Sequence, residues 1–456
     1  MKAIEKYLAR HAEPEAAAAA GLEGVFGHAL EIPAYGEGDA LFEALASIPA
    51  GAGGEVLIVL VLNARADSPT FVHEANARVR ERLDATAPSR ESALSGNPAV
   101  SVRPLPRGTL VVIDRALPGR YLPEGQGVGL ARKIGCDFIL HLRASGQISS
   151  PWIHCTDADV RLPRDYFEQL SGQAEEPPPA AALYFFEHDV EPDEGLARAA
   201  RLYEISLRYY VLGLAWAGSP YAYQSMGSCL AVRDVSYAAV RGFPRRNALE
   251  DFYALNKLAK VGTIARLAGT PLRLKGRVSD RVPVSTGKAL GEMVADGPRA
   301  RRRSLLYHPA VFAHLAAWLR VLGALARSGG KLEQAFGLIP RDNPFFRADL
   351  LEEALAKLGA FEAVREALAV TDDPVTLGRR LHAWFDAFRT LKLIHALRDT
   401  GLHSLHWSAA LSEAPFTGLS ASTEESEEDL GKALAREERT LAGRPAGLGA
   451  LETDQT

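Results

Sequence analysis

The sequence predicts an α/β protein with a helical C-terminal region, and three observations carry that prediction. Short β-branched runs alternate with helix-period segments over the first 165 or so residues. One run, "EVLIVLVL", is continuously apolar, as a strand buried on both faces of a parallel sheet requires. Beyond Arg299 the texture changes to helical repeats rich in Ala, Leu, Glu and Arg.

Taken in order, residues 1–28 form an N-terminal helical segment, and the stretch from Ala29 to Leu62 reads strand, helix, strand. Residues 64–108 read as an insertion of one helix and a surface loop. "GTLVVIDRA" is a further strand, "GVGLARKIGCDFILHLRASG" a helix, and "SSPWIHCTDAD" a strand that ends on two carboxylates. "AALYFFEH" and a long helix from about Asp193 follow, then the segment containing "ALEDFYALNKLAKVG". The expected divisions are 1–28, an α/β domain over 29–295, a helical region over 296–412, and an acidic, disordered tail over 413–456 that includes "TEESEEDL" and one poorly packed helix.

Bulk composition excludes several classes. Lys plus Arg is 52 against 56 for Asp plus Glu, so no global basic field argues for nucleic acid. The three cysteines, Cys136, Cys155 and Cys229, lack zinc-site spacing and read as reduced residues of a cytoplasmic protein. No signal-peptide pattern is present, and no run reaches the ~18 apolar residues of a membrane span. The cluster Arg299, Arg301, Arg302 and Arg303 is a candidate for phosphate or peripheral membrane contact, with a solvated helix start as the plainer reading.

Chemistry is expected at the carboxyl ends of the strands, where α/β sheets hold their ligands. Alternate strand residues share a face, so Asp157 and Asp159 present two hard oxygen ligands suited to Mg²⁺ or Mn²⁺ bridging to a diphosphate. Glu250 and Asp251 open a helix, where carboxylates also serve the dipole as capping groups. The aromatic run ending in Trp216, Tyr223 and Gln224 suits a sugar or polyol, since sugar C–H faces stack on aromatic rings. A plain core helix is the alternative there.

The order "EIPAYGEG", "VLVLNARADS", "GVGLARKIGCD", "CTDADV", "GSCLAVRDVSYAAVRGF" and "ALEDFYALNKLAKVG" resembles that of GT-A-fold glycosyltransferases of the family 2 type, over roughly residues 29 to 265. The resemblance implies a GT-A, doubly wound mixed sheet, and a metal-dependent transfer of sugar from a nucleotide-diphosphate donor to a small or soluble hydroxyl acceptor. Carried over by position, Pro33, Ala34, Tyr35, Glu37 and Asn63 shape the base and ribose site. Arg132 and Lys133 lie near the diphosphate, Asp157 contacts metal or donor, and Asp159 binds the metal directly. Asp251 is the general base of an inverting reaction, with Glu250 as the alternative. A loop after the "LED" helix, with Arg277, Asp280, Arg281 and Lys288, closes over the diphosphate and supplies a further metal ligand, for which Asp280 and Arg281 are the candidates, with an ordinary charged loop as the alternative. His154 reads as packed, whereas His188, as a residue facing the acceptor, and His308, as a late metal ligand, are candidates that the sequence leaves open. "AYGEG", "ARKIG" and "LNARADS" depart from the family's usual I-P-A-Y-N-E, A-R-N-x-G and D-D-G-S, which leaves the nucleotide open. The rival readings are a retaining enzyme acting on a small acid such as glycerate, a nucleotidyltransferase, and a non-catalytic sugar-nucleotide scaffold. The helical region is a candidate homo-oligomer surface.

Overall fold

In the computed structural model the described residues are 2–51, 53–90, 93–171, 177–190, 192–279, 281, 285–296, 305–328, 332–337, 346–419, 426–444 and 446–447. Asp280 and the arginines at 299 and 301–303 lie outside them. The chain divides into two compact units, each made of two chain pieces: 1–191 with 225–289, and 192–224 with 290–456.

The first unit is a mixed α/β fold. Its strands are β1 (Phe26–Ala34), β2 (Glu55–Asn63), β3 (Val100–Leu105), β4 (Gly108–Arg115), β5 (Trp152–Cys155), β6 (Val160–Arg161), β7 (Ala181–Leu183), β8 (Phe186–Val190), β9 (Leu230–Arg233), β10 (Ile264–Arg266) and β11 (Leu272–Gly276). Eight of them form one sheet in the order β10-β7-β9-β5-β1-β2-β4-β3, and β6-β11-β8 form a second. β1 pairs in parallel with β2 on one side and with β5 on the other. The chain therefore winds outward from β1 in one direction and returns to its opposite flank. That reversal opens a crevice at the carboxyl ends of β1 and β5. β2 is buried along "VLIVLVLN", as a strand covered on both faces must be. The stretch expected as a surface loop after residue 86 instead contains β3, which adds to the sheet edge antiparallel to β4.

The helices of this unit are α1 (Lys2–Arg10), α2 (Asp39–Ser47), α3 (Thr70–Thr86), α4 (Val128–Ala144), and, after α5 of the other unit, α6 (Asp234–Ala239) and α7 (Glu250–Leu258). α4 packs against β1 and β2. A Cβ on Gly135 would lie 2.5 Å from Glu31 Cγ, and one on Gly129 only 2.3 Å from the Pro244 carbonyl oxygen. The two glycines allow α4 to ride against β1 on one side and against the approach to α7 on the other.

The N-terminal segment is part of this unit. Asp137 of α4, fully buried, accepts from Tyr7 Oη at 2.6 Å, Tyr237 Oη at 2.7 Å, the Glu13 amide at 2.8 Å and Lys133 Nζ at 2.7 Å. Lys133 Nζ also donates to the His11 carbonyl at 2.8 Å. Burial and the Asp137 charge push the Tyr7 phenol well above its ordinary range, so it stays a donor.

The second unit is helical. It contains α5 (Glu194–Trp216), most of α8 (Thr286–Asp296), α9 (Ala310–Ser328), α10 (Leu332–Gly337), α11 (Ala348–Lys357), α12 (Ala360–Val370), α13 (Pro374–Trp384), α14 (Ala387–Thr400), α15 (Trp407–Glu413) and α16 (Glu427–Arg439). Asp193, Asp373 and Asp386 cap α5, α13 and α14 through backbone amides, and Pro374 occupies the first turn of α13. By length and composition α9 is apolar enough to cross a membrane, although His314, Arg320 and Arg327 interrupt the run. However, 83% of that window is buried, with Phe312, Leu315, Trp318 and Leu322 in the core. The acidic segment expected as a disordered tail holds α16, capped by Ser426 and packed against α5. There Glu438 accepts from the buried Arg208 at 2.5 Å.

Removing one partner of a buried ion pair strands the other charge, at a cost of roughly 3–5 kcal/mol. Lys133→Met and Glu438→Ala are each expected to lower the unfolding free energy by about that amount in urea titrations. A loss under about 1 kcal/mol in either would show that the pair is not held as described.

Candidate active site

The candidate site is assembled in the first unit from strand ends and one buried arginine. β1 ends at Ala34 and runs into Tyr35, Gly36 and Glu37. β5 ends at Cys155 and delivers Asp157 and Asp159. Beneath them, Arg132 of α4 has a side chain only 1% exposed and reaches three carboxylates. Nη1 donates to Glu31 at 3.2 Å, Nη2 to Asp157 at 2.7 Å, and Nε to Glu250 at 3.3 Å. One guanidinium thus ties β1, the end of β5 and the start of α7 together, a use for which its forked geometry is suited.

Glu31 is fully buried in the middle of β1, and burial pushes its carboxyl well up against the pull of Arg132. Burial also lifts Glu250 from its ordinary 4.5 to about 7, with Arg132 pulling down and Asp251 pushing up. Asp251 is raised as well, chiefly by burial, although it accepts from the Gly227 amide at 2.9 Å and the Phe252 amide at 2.7 Å. Those contacts fix the carboxylate in the first turn of α7. Leu249, just before it, has φ of 62°, a left-handed conformation uncommon for a branched side chain.

On the solvent side Arg277, the residue after β11, donates to Asp159 Oδ2 through Nε at 3.0 Å and Nη2 at 2.7 Å, and through Nη2 to Glu37 at 2.9 Å. Arg281 takes the other oxygen of Glu37 at 2.7 Å and donates to the carbonyls of Tyr35 and Gly36 at 3.1 and 3.0 Å. Burial and the Asp159 charge push Glu37 up to about 8, against Arg277. A small cavity of about 260 Å³ adjoins Asp159, lined by Ala40, Glu43, Arg161, Asp189, Val190, Arg273 and Lys275.

Asn63 is buried and its Nδ2 donates to the Ala34 carbonyl at 2.9 Å, while Asn76 of α3 donates to the Asn63 carbonyl at 3.0 Å and accepts from Gly36. Tyr35 donates to Ser68 at 3.1 Å. Pro33 and Ala34 are buried at the end of β1. Of the expected residues, Arg132, Asp157 and Glu250 share one cluster and Glu37, Asp159 and Arg281 another, while Asp251, next to Glu250, is held by backbone amides. Of the two cations expected near the diphosphate, Arg132 is buried against Asp157, and Lys133, one residue on along α4, points its Nζ away, at Asp137 and the N-terminal segment. Trp216, Tyr223 and Gln224 belong to the second unit. Trp216 is 42% exposed, Tyr223 is buried, and Gln224 donates to Glu438 at 2.9 Å. His154 is packed, hydrogen-bonded to Tyr184 Oη at 3.0 Å. His188 lies on β8, and His308, also in the second unit, accepts from the Ala310 amide.

Sequence reasoning missed Glu31, Asn76 and the Gly227 amide, and it treated Arg277 as one loop cation among several. A signal for Glu31 existed: a lone carboxylate inside "HALEIPAY" must be paired if that strand is buried.

Asp157 and Asp159 fit a hard divalent cation. They are oxygen ligands, 45% and 21% exposed, and the arginines engage one oxygen of each, Oδ1 of Asp157 and Oδ2 of Asp159. Glu31, Cys136 and Cys155 also place ligand atoms within 4.8 Å of one another, the two sulfurs at 3.7 Å. That set is fully buried and its carboxylate already holds Arg132, so a cation there would meet a fixed positive charge.

What the site defines is an α/β crevice with two solvent-facing carboxylates and a third, Asp251, on a helix beside them. No family model matches the sequence, and no curated protein matches it. Among the solved structures that are similar in part are the following. Residues 1–349 of TarS from S. aureus are 12% identical, with 77% of this chain and 89% of that chain covered and a TM-score of 0.35. The same fragment in complex with UDP-GlcNAc gives 11%, 77%, 90% and 0.37. The mannosyltransferase PcManGT from Pyrobaculum calidifontis, in complex with GDP-Man and Mn²⁺, gives 17%, 86%, 95% and 0.33.

Glu250 binds its proton more tightly folded than unfolded. Its contribution to stability is therefore complete below pH 4.5 and is lost as pH rises through about 7. Glu250→Gln is expected to flatten stability against pH across that window, where one proton corresponds to a slope of up to about 1.4 kcal/mol per unit. Urea midpoints at half-unit intervals from pH 4.5 to 8 measure it, and identical slopes in parent and variant would refute the assignment.

Proposed function

We propose that the chain is a glycosyltransferase of the GT-A type that moves a sugar from a nucleotide-diphosphate donor to a hydroxyl acceptor. One observation carries the reading. Arg132 joins Asp157, beside the expected metal ligand, to Glu250, beside the expected base, so the two motifs "DAD" and "LED" form a single hydrogen-bonded site. The strand order supports it, since the crevice beside β1 falls where the resemblance implies a nucleotide pocket.

In this reading Asp157 and Asp159 hold Mg²⁺ or Mn²⁺, which supplies positive charge against the diphosphate as it leaves. Glu37 and the carbonyls after β1 offer acceptors to ribose hydroxyls or base N–H groups. Asp251 removes the proton of the acceptor hydroxyl. Its raised pKa brings it closer to neutrality, where a base combines availability with proton affinity, and the Gly227 amide keeps it oriented. Attack from the face opposite the diphosphate inverts the anomeric centre. Glu250, pinned to Arg132, positions Asp251 rather than exchanging protons with the acceptor.

UDP-GlcNAc and GDP-Man, with and without Mn²⁺, are the first donors to test by thermal shift. At least one nucleotide sugar is expected to raise the melting temperature of the parent in a Mn²⁺-dependent way, and Asp159→Ala to abolish the metal dependence. Asp251→Asn is expected to keep donor binding and lower transfer by roughly 10²–10⁴-fold. If no nucleotide sugar stabilises the parent, or Asp251→Asn turns over at the parent's rate, the reading is wrong.

A further inference from the structure

We infer that Arg277 is a built-in cation at Asp159, which competes with a divalent metal for that carboxylate and, once released, passes to the donor's diphosphate. The inference rests on the proposed donor site but concerns an exchange between cations that the reading does not require.

The two arginines that hold the carboxylate pair are not equivalent. Arg132 is 1% exposed and locked to three carboxylates on three elements. It cannot leave Asp157 without stranding buried charge. Arg277 is 32% exposed, stands just past the end of β11, and contacts two carboxylates, Asp159 at 2.7 Å and Glu37 at 2.9 Å. Both of its contacts to Asp159 go to one oxygen, Oδ2. Arg281 holds the other oxygen of Glu37, so two guanidiniums face these two carboxyl groups.

A divalent cation brought to Asp159 would therefore arrive beside an arginine already seated there. At contact distances two cations repel by several kcal/mol even at an effective dielectric near 20. Metal and Arg277 thus compete for Asp159. Once displaced, Arg277 sits at the edge of the crevice with its fork unsatisfied, and a diphosphate is the group such a fork fits. Arg281, anchored on backbone carbonyls, retains Glu37 and keeps the loop after β1 in place.

The competition and a merely structural role for Arg277 give opposite signs. Mn²⁺ alone is titrated into the full chain and free ion is read by electron paramagnetic resonance. Arg277→Ala is expected to bind Mn²⁺ about tenfold tighter than the parent, within the usual range of a coupling between two ligands. Arg277→Lys is expected to fall between them. In saturating Mn²⁺, Arg277→Ala is expected to bind UDP or GDP more weakly than the parent. If Arg277 only braces the end of β11 against the loop after β1, its removal weakens both. Unchanged or weaker Mn²⁺ binding in Arg277→Ala, or no Mn²⁺ binding in parent and variant alike, overturns the inference. So does diphosphate binding that is unchanged or tighter. Arg277→Gln and Arg277→Lys read the same quantities should the alanine variant not fold, with near-ultraviolet circular dichroism as the check. The Mn²⁺ titration contains no nucleotide, so its outcome is separate from that of the donor screen.

Discussion

The buried guanidinium of Arg132 is the constraint on which the rest of the first unit depends. A charge with its side chain 1% exposed is tolerable only when paired, and here three carboxylates on three elements pair with it. The arrangement sets where α4 lies against β1, where β5 ends, and where α7 begins. Gly129 and Gly135 are what let the helix come close enough. The same ion that stabilises the packing also ties the "DAD" segment after β5 to the "LED" segment that opens α7.

The carboxylates divide into two layers by environment. Glu31 and Glu250 lie beneath, buried and turned toward Arg132. Asp157 and Asp159 lie above, partly exposed. Negative charge concentrated in a low-dielectric crevice is costly, and the arginines offset it from opposite sides, Arg132 from the core and Arg277 with Arg281 from solvent. Such a site is poised to exchange its outer cations while its inner one stays.

Much of this was legible in the residues. The continuous apolar run of β2, the helical period of "GLARKIG" and the strand ending in "DAD" each follow from a local rule, and the mixed sheet followed by helices has the expected order. What was not legible is long-range. Nothing near Arg132 in sequence says that Glu31, 101 residues away, and Glu250, 118 residues away, are its partners. Neighbouring Lys133 looks equivalent, yet a helix turns adjacent residues about 100° apart, and that rotation sends it to Asp137. The density of acid in "TEESEEDL" suggested a solvated tail with one poorly packed helix, whereas Leu434 and Glu438, on one side of α16, are buried.

The division of the chain into interleaved pieces has a consequence for how the protein is made. Residues 192–224 leave the ribosome before the last part of the first unit, but they belong with residues 290–456. α5, including Arg208 and the apolar Leu202, Ile205 and Leu212, must wait for α9 and α16, whose partner Glu438 is synthesised 230 residues later. Late closure of so long a loop is slow and leaves apolar surface uncovered meanwhile. A fragment cut after the first unit would carry an orphaned helix, and the helical region expressed from residue 290 onward would lack one of its own core elements.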